Sequence, residues 1–227
     1  MILPCFDPAT WGPSIDAAVA AVERGQVIVL PTDTVYGVGA DAFQPDAVAA
    51  VLAAKGRGRQ MPPPVLIPNV RTVDGLAREV PDSARKLMER FWPGALTVIV
   101  LAQPSLAWDL GDTNGTVALR VPDHAAARAL LERTGPLAVT SANRTGAPAA
   151  IRAEHARDQL KDSVAIYLDA GESPLGVAST IVDATGPRLR VVREGGISRD
   201  EIVEAVGAAA MEPAGNPGTA GHMGTPA

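Results

Sequence analysis

QVIVLPTDTVYGVGADAF, residues 26–43, passes from an uncharged, β-branched run into hydroxyls, a carboxylate and glycines. Residues 26–30 read as a buried strand, since β-branched side chains pack well on a pleated surface and no charge interrupts them. Pro31 ends that strand, and residues 31–43 read as the loop after it. A sheet fixes such a loop while leaving its backbone able to meet a ligand. Gly37 and Gly39 permit positive φ or close backbone approach. Thr32, Thr34 and Tyr36 each donate and accept a hydrogen bond. Lys55-Gly56-Arg57 follows one short helix later. On this stretch alone, a polar turn between strand and helix is as good a reading as a binding loop.

The whole chain sets outer bounds. Its 227 residues are enough for a sizeable core, and 47% hydrophobic with 20% charged residues is ordinary for a globular protein. Aromatics are only 4% and the net charge is −5, so no global basic footprint for nucleic acid exists. A single cysteine, Cys5, excludes an intramolecular disulfide and any Cys-based zinc cluster. The start, MILPCFDPAT, lacks the basic and apolar regions of a secretory signal. The longest uncharged helical run, residues 47–54, is far too short to span a bilayer. The expectation is a cytoplasmic protein with no membrane contact.

Outward from residues 26–43, punctuation marks the elements. Ser14 reads as the N-cap of a helix through Arg24, closed by Gly25. Pro45 fits the first turn of a helix ending near Lys55 and Gly56, with Val48, Val51 and Leu52 on one buried face. GRGRQMPPP, residues 56–64, is irregular, because glycines and consecutive prolines break helix and sheet. Strands are expected at 65–67, 96–101, 116–121, 137–140, 164–168, 180–183 and 188–193, the last two as a hairpin through ATGP. Helices are expected from Pro81-Asp82 to about Phe91, from Pro122-Asp123 to Arg133, and over 154–160. A Ser198/Glu201 capping box opens the last helix, to about Met211. The alternation predicts one α/β domain over residues 1–211, a mixed sheet flanked by helices, then a disordered tail over 212–227.

The strand ends and adjoining loops would deliver Thr34, Lys55, Arg57, Arg120, Ser141, Asn143, Ser179 and Arg193. Cations and short hydrogen-bonding side chains together suit a multiply charged, oxygen-rich ligand. Each residue alone has a plainer role open to it. Arg120 could snorkel from an edge strand, Ser141 and Asn143 could form turns, and Lys55 could cap its own helix. Other chemistries lack their signatures: no G-x-x-x-x-G-K-[ST], no G-x-G-x-x-G and no G-x-S-x-G occurs. His124 reads as structural and His155 as solvated. No protein metal site is expected, and Mg²⁺ would arrive with phosphate, keeping much of its water.

PTDTVYGVGADA, AAKGRGRQMPPPVLI, FWPGALTVIV, VALRVPDH, VTSANRTGAP, ASTIVDAT and VVREGGIS, in this order over residues 25–198, resemble the YrdC/TsaC family of L-threonylcarbamoyladenylate synthases. The resemblance implies a single α/β domain whose twisted mixed sheet surrounds a positively charged cavity. It implies a nucleotidyltransferase that joins L-threonine, bicarbonate or CO₂, and ATP into threonylcarbamoyl-AMP, releasing pyrophosphate. A partner transferase complex then modifies the adenosine beside the anticodon of certain tRNAs, and weak direct tRNA binding is a further expectation. By position, the family's catalytic, ATP-binding tetrad falls on Lys55, Arg57, Ser141 and Asn143, with Ser179 and Arg193 also on the nucleotide. Thr34 falls on a threonine contact, and Arg120 on a cavity arginine grouped here with it. Leu66, Ala149 and Met61 depart from the pattern: a histidine, a serine and a polar residue stand there in other members. A double-stranded RNA or tRNA-binding module without turnover is the rival reading, which the acidic charge and scarce aromatics disfavour. A carbamoyltransferase of the hydrogenase-maturation type would need zinc-binding cysteines that one cysteine cannot supply.

Overall fold

The apolar run after Gln26 lies inside a mixed sheet, packed on both faces. A computed structural model describes residues 1–213. The strands are β1 (Ile2–Pro4), β2 (Ile28–Leu30), β3 (Gly37–Asp41), β4 (Val65–Leu66), β5 (Leu96–Leu101), β6 (Thr116–Arg120), β7 (Leu137–Ser141), β8 (Ile166–Asp169), β9 (Thr180–Asp183) and β10 (Arg190–Arg193). The helices are α1 (Gly12–Glu23), α2 (Pro45–Lys55), α3 (Val73–Leu76), α4 (Asp82–Phe91), α5 (Ala125–Thr134), α6 (Ala153–Leu160) and α7 (Arg199–Val206). The sheet has ten strands in the order β1-β8-β2-β3-β7-β4-β6-β5-β9-β10. β8 runs parallel to β1 and β2, β4 to β6 and β5 to β9, while the other pairs are antiparallel.

Side-chain alternation explains why β2 carries no polar residue. Ile28 and Leu30 join a core built with α1 and α5, and Val29 joins one built with α2 and α6. A third core lies under β5, β6 and β9, where Val98, Val100, Leu119 and Val182 meet Leu87 and Met88 of α4 and Ile202 of α7. No helix among the described residues is long and apolar enough to cross a membrane.

Several sequence expectations need correction. Residues 31–43 are not one loop: residues 31–36 form the turn, and Gly37 pairs with Leu30 to begin β3. Neither Gly37 nor Gly39 has positive φ. Their role is close approach to β7, since a Cβ on Gly39 would stand 2.7 Å from the Ala138 carbonyl and 2.6 Å from Val139 Cγ2. Ser14 lies inside α1, whose start is set by Pro13, and its hydroxyl donates to the Pro4 carbonyl at 2.7 Å. His124, not Pro122 or Asp123, precedes the first residue of α5. β1 and α3, three and four residues long, are too short for periodicity to mark them in the sequence. The capping box at Ser198 and Glu201 is present, but α7 ends at Val206. Met211 bridges Leu189 and the Glu212 amide donates to the Leu189 carbonyl at 2.8 Å, so the ordered chain runs to Glu212 at least. The rest of the expected tail, residues 214–227, lies outside the described residues.

The crowding at Gly39 sets an expected outcome. Gly39→Ala must displace backbone in β7, and should cost about 1–3 kcal/mol, read as a lowered denaturant midpoint. Gly75→Ala in α3 meets nothing within 4 Å and should change stability by under about 1 kcal/mol. Equal shifts at the two positions would refute the packing role of Gly39.

Candidate functional site: an arginine-lined cavity

Between the loops after β2 and α2 and the ends of β6, β7 and β10 lies a cavity of about 360 Å³. Alternation within the strands builds it. On β5 Thr97 and Ile99 face the cavity while Val98 and Val100 enter the core. On β6 Ala118 and Arg120 face it, and Leu119 enters the core. Arg193 arrives by an irregularity: the β9–β10 register shifts between Val191 and Arg193, so Arg193 stands opposite Ile181, itself a wall residue. An extra residue in one strand is a common way to re-aim a side chain.

Arg120 is the most deeply fixed cation. Its Nε donates to the Gly94 carbonyl at 2.9 Å and one terminal nitrogen to Thr34 Oγ1 at 2.8 Å. The other terminal nitrogen is paired with the Asp33 carboxylate, and both residues are only 6% exposed. Asp33 Oδ1 also accepts from the Asp123 amide at 3.0 Å. Burial pulls the Arg120 guanidinium down, and the Asp33 charge pulls it back up. Removing one partner of such a pair typically costs about 3–5 kcal/mol, because the other charge is left buried and uncompensated. The snorkelling alternative is therefore wrong for Arg120.

Arg57 and Arg193 differ. Neither has a carboxylate partner among the described residues. Gly56, at φ 64°, closes α2, and Arg57 turns back with its amide on the Leu52 carbonyl. One Arg57 terminal nitrogen donates to Thr140 Oγ1 at 3.0 Å, while its Nε is buried without a partner among the described residues. Arg193 donates to the Ser179 carbonyl at 2.7 Å. Burial lowers the Arg57 pKa and the Arg193 charge lowers it further, so these cations repel each other across the cavity. Burial alone lowers Arg193. Arg57 is half-buried with a shielded Nε and Arg193 is exposed, so leaving the cation without an anion costs more at Arg57, and an anionic ligand relieves that cost.

Lys55 and Asn143 stand behind the wall. Lys55 Nζ donates to the Asn143 carbonyl at 2.7 Å, to Asn143 Oδ1 at 3.2 Å and to the Ser141 carbonyl. Asn143 Nδ2 donates to the carbonyls of Arg144 and Ala147. Lys55 thus caps the turn after β7, not its own helix, and Asn143 shapes that turn. Burial first, then the Arg57 charge, pushes Lys55 down to about 8. Six of the eight expected residues line the cavity: Thr34, Arg57, Arg120, Ser141, Ser179 and Arg193. Leu66 and Ala149 also line it, whereas Met61 is an exposed residue outside it.

Reading residue by residue missed three groups. Asp33 is the lone carboxylate of residues 31–36, matching Arg120 as the lone charge in its strand. Thr97, the hydroxyl inside LTVIVL, bonds Ser179 Oγ at 2.8 Å. Thr140, the acceptor for Arg57, had no local signal, because its role depends on a residue eighty-three positions away.

The Sua5/YciO/YrdC family model, described as telomere recombination, matches residues 20–195. A Mycobacterium tuberculosis protein, named provisionally as a threonylcarbamoyl-AMP synthase, is 54% identical over 89% of this chain and 94% of its own length. A Bacillus subtilis threonylcarbamoyl-AMP synthase is 39% identical over 88% of this chain and 58% of its own length. The P. abyssi Sua5 structure complexed with L-threonine superposes with a TM-score of 0.87 at 32% identity, over 91% of this chain and 61% of that one. E. coli YciO superposes with a TM-score of 0.78 at 26% identity, over 91% and 98%. With its fold, its order of motifs and a model match over most of its length, the chain belongs to the Sua5/YciO/YrdC family.

Proposed function

We propose that the chain is an L-threonylcarbamoyladenylate synthase, joining L-threonine, bicarbonate or CO₂, and ATP into threonylcarbamoyl-AMP with release of pyrophosphate. The observation that carries this is the pair of guanidinia without a carboxylate partner among the described residues, half-buried Arg57 and exposed Arg193, in the wall of the cavity that Thr34 also lines. Relatives named as threonylcarbamoyl-AMP synthases and a Sua5 structure with bound L-threonine support the same reading.

The chemistry assigns roles to this chain's own groups. The amine of threonine attacks CO₂, forming a C–N bond and losing a proton to give a carbamate. A carbamate oxygen then attacks the α-phosphorus of ATP, and the bond to the β-phosphate bridging oxygen breaks as pyrophosphate leaves. Carbamate and triphosphate repel each other, so Arg57 and Arg193 serve by holding both anions and by offsetting charge that builds on the phosphoryl oxygens. Ser141 and Ser179 orient the nucleotide through their hydroxyls. Lys55 and Asn143 hold the turn that presents Ser141, and Lys55 adds its charge from behind. Thr34, fixed by Arg120, contacts the threonine substrate. The wall groups are guanidinium and hydroxyl, with Asp33 committed to Arg120, so Mg²⁺ would be held by the ATP phosphates and water. The product would pass to a transferase complex acting on tRNA, and direct binding of tRNA is expected to be weak.

Two outcomes test the proposal. Pyrophosphate release should require L-threonine and bicarbonate together, and should fall about 10²–10³-fold in Arg57→Ala or Lys55→Ala with the circular dichroism spectrum intact. Turnover indifferent to threonine would overturn the substrate assignment. ATP affinity, measured without threonine to keep its amine out of the titration, should depend on Lys55 as well. A base with a lowered pKa keeps its charge only below that value. Above pH 7, where the terminal phosphate of ATP is already ionised, affinity should therefore weaken as pH rises through about 8. A flat profile to pH 9.5, roughly one unit short of a free lysine's pKa, would remove Lys55 from the nucleotide site.

A further inference from the structure

Two wall segments meet outside the cavity through a pair of residues that the reaction itself does not use. The first, between α2 and β4, carries Arg57 and Pro62 to Pro64 into the wall, and the second, between β5 and β6, carries Leu110 and Thr113. Arg59 makes a two-pronged contact with Asp109, at 2.9 and 2.8 Å, and its Nε lies 3.7 Å from Asp112. The backbones join at the same place, where the Asp112 amide donates to the Arg59 carbonyl at 2.9 Å. Gly111 sits at φ 102°, and a Cβ there would stand 2.6 Å from that carbonyl, so the approach requires glycine. Asp109 Oδ1 also accepts from the Gly111 amide at 3.0 Å, which shapes the second segment to receive Arg59. Trp108, next in sequence, stacks on Phe43 with ring centroids 5.5 Å apart, anchoring that segment beside the end of β3.

An exposed ion pair by itself contributes little, because water and salt screen it. Here the fork geometry, the backbone bond and the glycine contact act at one point, which makes the junction cooperative. Arg57 lies two residues from Arg59, at the start of the same irregular segment. Its amide is held by Leu52, but among the described residues its side chain has one hydrogen bond and no ion pair, so where the guanidinium sits in the wall depends on how the rest of that segment is held.

We propose that Arg59 and Asp109 form a clasp that sets the nucleotide affinity of the cavity by holding Arg57 and the proline wall against the segment between β5 and β6. This rests on the reading of the cavity as an ATP site. Both are positioning residues, acting through Arg57 and not on the reacting atoms. With the clasp shut, Arg57 is already in place when the nucleotide enters. With it open, ordering that segment opposes binding, so the effect falls on KM and not on kcat.

Asp109→Asn is the informative variant, since it keeps an acceptor for the Gly111 amide and removes the charge. It should raise the KM for ATP about threefold to tenfold, with kcat within about twofold. Hydrogen exchange of the Asp112 amide, whose acceptor is the Arg59 carbonyl, should quicken by a similar factor without any substrate present. Arg59→Gln should do the same, and the double variant should be no worse than either single one. Unchanged KM with unchanged exchange, or KM effects that simply add, would overturn the clasp. The exchange readout needs no turnover. A wild-type protein inactive with threonine would count against the proposed reaction, and exchange would still decide whether the clasp exists.

Discussion

The buried pair of Arg120 and Asp33 is the contact on which the cavity depends. It ties β6, near one half of the sheet, to the turn after β2 in the other half, and the Asp123 amide joins the start of α5 to the same carboxylate. Thr34 takes its place from this contact, through Arg120 on one side and Thr32 on the other. A charge pair in a dry interior stabilises only when its remaining donors and acceptors are satisfied, and here Gly94 and Thr34 complete the guanidinium. The result is a rigid turn in the cavity wall, bought with one committed arginine.

That commitment divides the charge in the wall. Arg120 is neutralised within the protein, whereas Arg57 and Arg193 carry no internal counter-ion among the described residues. The wall thus separates into a part whose charge is paired within the protein and a part whose charge is open to an anion. Lys55 belongs to the second part at one remove, with its ammonium on the carbonyls of the turn that presents Ser141. Geometry held ready before binding is the cheapest way to stabilise charge that develops during a reaction.

Much of this was legible in the sequence, for physical reasons that also explain the misses. β5 and β9 were read to the residue, because uncharged β-branched runs between turn formers admit few alternatives. The turn at 31–36 was read, but β3 was absorbed into it. GVGAD carries little strand propensity, and its pairing is dictated by the close approach of Val139, which local sequence does not encode. Arg120 was flagged as odd in its strand, yet its partner Asp33 lies eighty-seven positions away. Lys55 and Asn143 have the residue types of ligand contacts, but the Lys55 ammonium donates to Asn143 Oδ1 behind the wall, a pairing that a separation of eighty-eight positions hides from local sequence. Residue types at strand ends were readable. Which of them face the cavity was not.

The central claim is that one cavity takes the triphosphate on Arg57 and Arg193 and the amino acid at Thr34. A crystal structure of the protein grown with a non-hydrolysable ATP analogue and L-threonine tests it most directly. Phosphate oxygens within hydrogen-bonding distance of both arginines, with the threonine beside Thr34, are the predicted result. Nucleotide bound elsewhere, with both guanidinia left facing solvent, would contradict it.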